Sequence, residues 1–124
     1  MRLLLDTHAL IWAARDPGRL SARAAAAIRD QDNDVWVSAA SGWEIAIKRA
    51  RGRLNFPDPD REMLGQLGMT ELSIALVHGA EVARLPDHHR DPFDRMLIAQ
   101  ARVEQLSLVS ADGAIAAYDV EVCW

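Results

Sequence analysis
The chain has 124 residues, 50% of them hydrophobic and 26% charged, which is the composition of a globular protein and excludes a disordered one. That length fits one domain, residues 1–124, with a core of its own. Fourteen Lys and Arg against eighteen Asp and Glu leave a formal charge of −4, which excludes a uniformly basic nucleic-acid-binding surface. Any nucleic-acid contact therefore needs a local basic patch or a metal that offsets the acids. Basic residues gather at Arg15, Arg19 and Arg23, and at Lys48, Arg49, Arg51 and Arg53. Solvated helix faces and ends would use them equally well. The single cysteine, Cys123, excludes an intramolecular disulfide and a thiolate metal cluster. A reducing cytoplasm is the natural setting. The apolar run Leu3-Leu4-Leu5 is too short for a signal peptide or a membrane span, and no later run approaches membrane length.

Residues 2–6 read as a buried strand, an apolar run that stops at Asp6. Residues 7–14 have the composition of a short helix, broken by Asp16-Pro17-Gly18. Ser21 is placed to cap a helix that runs to residue 30, with Ala24, Ala25, Ala27 and Ile28 on its apolar face. A polar turn leads to a strand at 35–37. Ser41-Gly42-Trp43-Glu44 has the form of a capping box, so a helix is expected to start there. Arg51-Gly52-Arg53 closes it, and a loop with two prolines follows. A helix is expected at 61–67, a weak strand at 71–74 and a helix at 75–85 before Pro86. Asp91 at N-cap and Pro92 at N1 open the best-marked helix, which runs to about residue 104. Residues 106–109 form an apolar strand, Ser110-Ala111-Asp112-Gly113 a turn, and 120–123 a last strand. Strands and helices alternate, so the expected fold is α/β: three layers, a parallel sheet with helices on both faces.

Ligands in open α/β sheets sit beyond the carboxyl ends of the strands, where strand order reverses. Asp6, Glu44, Asp94 and Asp112 all fall at that end, on four different elements. Each also has a purely structural use. Asp6 can cap a helix. Glu44 can be the reciprocal partner of Ser41. Asp94 suits the positive end of a helix dipole. Asp112-Gly113 is a common turn pair. Taken together they would repel unless some stay protonated or a cation sits among them. Oxygen donors without paired Cys or His indicate Mg²⁺, with Mn²⁺ as the alternative. Such a site suits phosphodiester hydrolysis.

The segments Leu3-Leu4-Leu5-Asp6-Thr7-His8, Ser41-Gly42-Trp43-Glu44-Ile45, His89-Arg90-Asp91-Pro92-Phe93-Asp94-Arg95 through Ala101, and Leu108-Val109-Ser110-Ala111-Asp112 come in the order seen in PIN-domain proteins. The chain resembles most the VapC-like toxins of type II toxin–antitoxin systems, from residue 2 to about residue 118. The stretch from Asp91 to Ala101 is its most specific part. The resemblance implies a sheet of order 3-2-1-4-5 and metal binding by Asp6, Glu44, Asp94 and Asp112. It also implies RNA cleavage, a cognate antitoxin in the active-site groove, and a homodimer. Ser110 stands where threonine is frequent and Ser73 where proline is frequent. A non-toxin nuclease, or a non-catalytic PIN module that binds RNA or a protein, is the alternative. A phosphotransfer receiver would need a lysine late in the chain, and the last is Lys48.

Around the four acids, Asp91 is first an N-cap and second an outer-sphere ligand. Ser110 is a turn hydroxyl or a hydrogen-bond partner of ligand or phosphate. Thr7 faces substrate or caps its helix. Arg95 and Lys48 are candidates for phosphate contact. His88 and His89 are expected in a solvated loop. Trp12, Trp36 and Trp43 are expected to pack in or near the core rather than stack on bases.

Overall fold
A computed structural model describes residues 1–124. Five strands form one sheet: β1 (Arg2–Leu5), β2 (Asp34–Ser38), β3 (Thr70–Leu72), β4 (Ser107–Val109) and β5 (Val122–Cys123). The order is β3-β2-β1-β4-β5, and every pairing is parallel. This is the expected 3-2-1-4-5 arrangement. Leu3 pairs with Val35 on one side and Ser107 on the other, so β1 is the central strand. Its leucines are fully buried on both faces, which is why it reads as an unbroken apolar run.

Helices α1 (Thr7–Arg15), α2 (Ala22–Arg29), α3 (Ala39–Ala50), α4 (Arg61–Gln66), α5 (Leu76–Arg84) and α6 (Pro92–Glu104) cover the sheet. The pleat sorts side chains between two cores. Leu3, Leu5, Val35 and Val37 pack with Leu10 of α1, Ala24 of α2, Ile45 of α3 and Leu64 of α4. Leu4 and Leu108 pack on the other face with Leu97 and Ile98 of α6. Trp124, unassigned by its sequence, packs on Trp12 with ring centroids 5.9 Å apart.

One helix start differs from expectation. Ser38, not Ser41, caps α3: its hydroxyl accepts the Ala40 N–H at 3.0 Å. Ser38 ends β2 in extended geometry, so strand passes straight into helix and no room is left for a separate cap. Ser41 and Glu44 therefore lie inside α3, three residues apart on one face. The weak strand also shifts, from 71–74 to Thr70–Leu72, and the last strand shortens to Val122–Cys123. No helix is long and apolar enough to cross a membrane.

Candidate active site
Strand order reverses between β1 and β4, and Asp6 stands at that point. Its backbone N–H continues the ladder to the Val109 carbonyl at 3.0 Å. Its Oδ1 accepts the Ala9 N–H at 2.8 Å and caps α1. The carboxyl is buried, and burial raises its pKa. The Ser110 hydroxyl, the Ala9 amide and His8 pull it back, and Glu44 raises it further.

Glu44, on the second turn of α3, is only 4% exposed. Thr7 donates its hydroxyl to Oε1 at 2.6 Å, and the Lys48 ammonium pairs with Oε2 one helical turn on. Ser41 Oγ lies 3.0 Å from Thr7 Oγ1. Placing the cap at Ser38 is what aims Ser41 and Glu44 at α1.

Asp94 lies in the first turn of α6. Its pKa is pushed up to about 6, first by burial, then by the charges of Asp91 and Asp6. His89 opposes the rise: its Nε2 is 2.8 Å from Asp94 Oδ2. The same Nε2 is 3.2 Å from Asp112 Oδ2, in the turn after β4. Burial lowers the pKa of the His89 imidazole, but Asp94, Asp112 and Asp91 overcome that and leave it raised. Asp112 Oδ1 accepts the Ala114 N–H, so this acid is also a cap.

The four acids thus share one end of the sheet. Asp6 is coupled in charge to Glu44 and to Asp94, and Asp94 and Asp112 meet at His89. Donor atoms of His89, Asp94 and Asp112 all lie within 4.8 Å of one another. Burial and a neighbouring acid raise both Asp6 and Asp94, so this end of the sheet is short of positive charge. Hard oxygen donors in that state fit a divalent cation such as Mg²⁺ or Mn²⁺.

The surrounding residues divide. Asp91 Oδ1 accepts the Phe93 and Asp94 N–H groups, so it is the N-cap of α6. Ser110 Oγ accepts the Asp112 N–H and braces the turn that carries the acid. Two expected phosphate contacts are committed elsewhere. Arg95 donates to the carbonyls of Pro86, Val82 and Leu85 and to the Tyr118 hydroxyl. Its fork clamps the chain before α6: the Pro86 and Leu85 carbonyls have no other donor, and the Val82 carbonyl also accepts the Leu85 N–H at 3.1 Å. Lys48 is held by Glu44. The basic clusters are partly spent too: Arg15 lies over Phe56, Arg19 over Trp12, and Arg49 pairs with Asp58.

His89 was not expected at the site. It arrives through an irregular loop, and no periodic spacing ties it to Asp94. Trp43 also differs from expectation. It is 61% exposed, one position before Glu44, with its ring edge-to-face on Phe93 at 5.1 Å. The largest cavity, about 480 Å³, lies at the opposite end of the sheet, lined by Ala13, Ile28, Asp30, Val35, Gln66 and Met69. It holds none of the four acids.

The PIN-domain model matches residues 3–121. The chain belongs to the PIN-domain family. Ribonuclease VapC22 of Mycobacterium tuberculosis (strain ATCC 25618 / H37Rv) is 31% identical over 113 residues, which cover 89% of this chain and 86% of that protein. Two solved structures share the fold. VapBC2 from Rickettsia felis, solved bound to a DNA fragment from its promoter, superposes with a TM-score of 0.69 at 10% identity, covering 98% of this chain and 96% of that one. FitAcB from Neisseria gonorrhoeae superposes with a TM-score of 0.67 at 19% identity, covering 97% and 95%. The residues matched by the PIN-domain model include all four acids, and the resemblance to VapC-like chains read from the motifs holds.

Proposed function
We propose that this PIN domain is a metal-dependent endoribonuclease, the toxin of a type II toxin–antitoxin pair, with residues 1–124 as one domain. The observation that carries the reading is the gathering of Asp6, Glu44, Asp94 and Asp112 at the carboxyl end of the sheet, with Asp94 pushed up to about 6. Similarity to a ribonuclease, VapC22, supports RNA as the substrate. The proposed partner is a cognate antitoxin, the proposed assembly a homodimer and the proposed compartment the cytoplasm.

The four acids would hold Mg²⁺ or Mn²⁺. When bound, such an ion supplies a water of lowered pKa and offsets charge on the phosphate oxygens. The chain's own residues prepare that place. Thr7 and Lys48 fix both oxygens of Glu44. Ser110 braces Asp112 and favours the charged form of Asp6. Asp91 holds the first turn of α6, and with it Asp94.

Purified protein incubated with a mixed RNA pool is the test. Cleavage is expected with Mg²⁺ or Mn²⁺, and neither Asp6→Asn nor Asp94→Asn should cut although both remain folded. Undiminished cleavage in excess chelator, or by those variants, would overturn the reading.

A further inference from the structure
We infer that His89 is a nitrogen ligand of the proposed metal centre and shifts that centre's preference from Mg²⁺ towards Mn²⁺. This rests on the reading of the acids as metal ligands. It adds a residue and a selectivity that the acids alone do not supply.

The first support is geometric. Ligands about 2.1 Å from an octahedral ion stand about 3.0 Å apart when they occupy neighbouring corners. His89 Nε2 stands 2.8 Å from Asp94 Oδ2 and 3.2 Å from Asp112 Oδ2. The three donors come from the loop before α6, from α6 itself and from the turn after β4, and all fit within 4.8 Å. Two of the three separations match neighbouring corners of a coordination shell, with His89 Nε2 as the shared corner.

The second support is the fastening of the loop. The His89 backbone N–H donates to the Tyr118 hydroxyl at 2.8 Å. Arg95 donates to that hydroxyl and to the Pro86 carbonyl three residues before His89. The loop is therefore pinned on both sides, and the ring is aimed between two carboxylates instead of swinging in solvent. His78 shows the contrasting case. It is 1% exposed and both of its ring nitrogens are engaged, one by the Ala75 N–H and one by Glu104, so it joins α5 to α6. His89 keeps about a fifth of its side chain open to solvent.

The consequence is chemical. Mg²⁺ and Mn²⁺ both suit carboxylates, but Mg²⁺ holds to oxygen ligands and its waters, whereas Mn²⁺ accepts an imidazole nitrogen beside them more readily. A centre made of the four acids alone would bind the two ions by charge. Adding His89 Nε2 rewards the ion that accepts nitrogen.

The test uses the full chain and the metal ions themselves. MnCl₂ and MgCl₂ are titrated by calorimetry into wild type, His89→Gln and Asp94→Asn, with circular dichroism to confirm folding. Electron spin-echo spectra of the Mn²⁺ complexes report nitrogen bound to the ion. The expected result is ¹⁴N modulation in wild type that disappears in His89→Gln. With it, Mn²⁺ binding should weaken on the order of tenfold or more and Mg²⁺ binding much less. Absence of ¹⁴N modulation in wild type, its survival in His89→Gln, or equal or tighter Mn²⁺ binding by that variant would overturn the proposal. Asp94→Asn separates the two readings. If it keeps wild-type Mn²⁺ binding, the acidic centre itself is wrong. If it loses Mn²⁺ while His89→Gln does not, only the role of His89 falls.

Discussion
Replacing Asp94 by Asn in metal-free protein is expected to stabilise the fold while abolishing ribonuclease activity. The carboxyl is raised from 3.8 to about 6, chiefly by burial and then by Asp91 and Asp6. That difference corresponds to about 3 kcal/mol of preference for the neutral form. Water reaches part of this carboxyl, and the dipole of α6 favours its charge by up to about 1 kcal/mol, so the usable gain is about 1 kcal/mol. For a chain of this size that moves Tm by about 4 °C. The sign in pH follows from linkage. The folded state holds this proton more tightly than the unfolded chain does. The stabilising contribution is therefore full below the unfolded value and is lost as pH rises through about 6. The Asn variant lacks this loss. Its advantage should be largest at pH 7 to 8 and should fade below about pH 4. Thermal and urea unfolding of both proteins in chelator, at several pH values, is the assay. An Asn variant less stable than wild type at pH 7.5, or an advantage that does not change with pH, would refute the reasoning.

Thr7→Val keeps shape but removes the hydroxyl on Glu44, a nearly buried acid. It should cost about 1–2 kcal/mol in urea unfolding and reduce RNA cleavage, and a fully active variant would count against Thr7 as the residue that orients Glu44. Arg95→Met leaves the carbonyls of Pro86 and Leu85 without a donor and takes one of two from Val82. A loss of about 2 kcal/mol or more is expected, with the loop at 86–91 exchanging amide hydrogen fastest; unchanged exchange there would argue against the clamp. Gln105 closes α6 at φ 56, in the left-handed region, and is exposed. Gln105→Gly should add about 0.5–1 kcal/mol, and equal or lower stability would show that the strain is relieved elsewhere. An antitoxin that inhibits by placing a basic segment among the four acids should bind more weakly as salt is raised and after Asp94→Asn. Affinity indifferent to both would sink that mode of inhibition.

The parts of this fold that were legible in the sequence are those where one physical cause dominates. Leu3-Leu4-Leu5 is buried on both faces, so it carries the continuous apolar run of a central parallel strand. Asp91-Pro92 marks the start of α6 because few other contexts use both a capping carboxylate and a missing N–H. β3 lies at the sheet edge with two of its three residues exposed, so no burial pattern marked its limits. Around α3, two serines competed for one cap. Local propensity favours Ser41, since Glu44 follows at capping-box spacing. The choice of Ser38 depends on where β2 ends, which the pairing of Ser38 with Leu72 of β3 sets and no local window contains.

That misplacement bears directly on the site. The acids were recognisable because strand ends and helix starts coincide at the carboxyl edge of a parallel sheet, where caps are needed anyway. Asp6 and Asp112 do cap, each accepting a backbone N–H with one oxygen, and a carboxylate has a second oxygen to offer. Glu44 does not cap. Its oxygens go to Thr7 and Lys48, so no helix-start requirement explains its burial. Asp94 needs no cap either, since Asp91 already serves that helix. The two acids freed from capping are thus the ones whose burial most demands a functional account. His89 was invisible for the complementary reason. It owes its place to the Tyr118 hydroxyl and the Arg95 clamp, contacts made across 29 and 6 residues of chain, and only the folded loop brings its ring between Asp94 and Asp112.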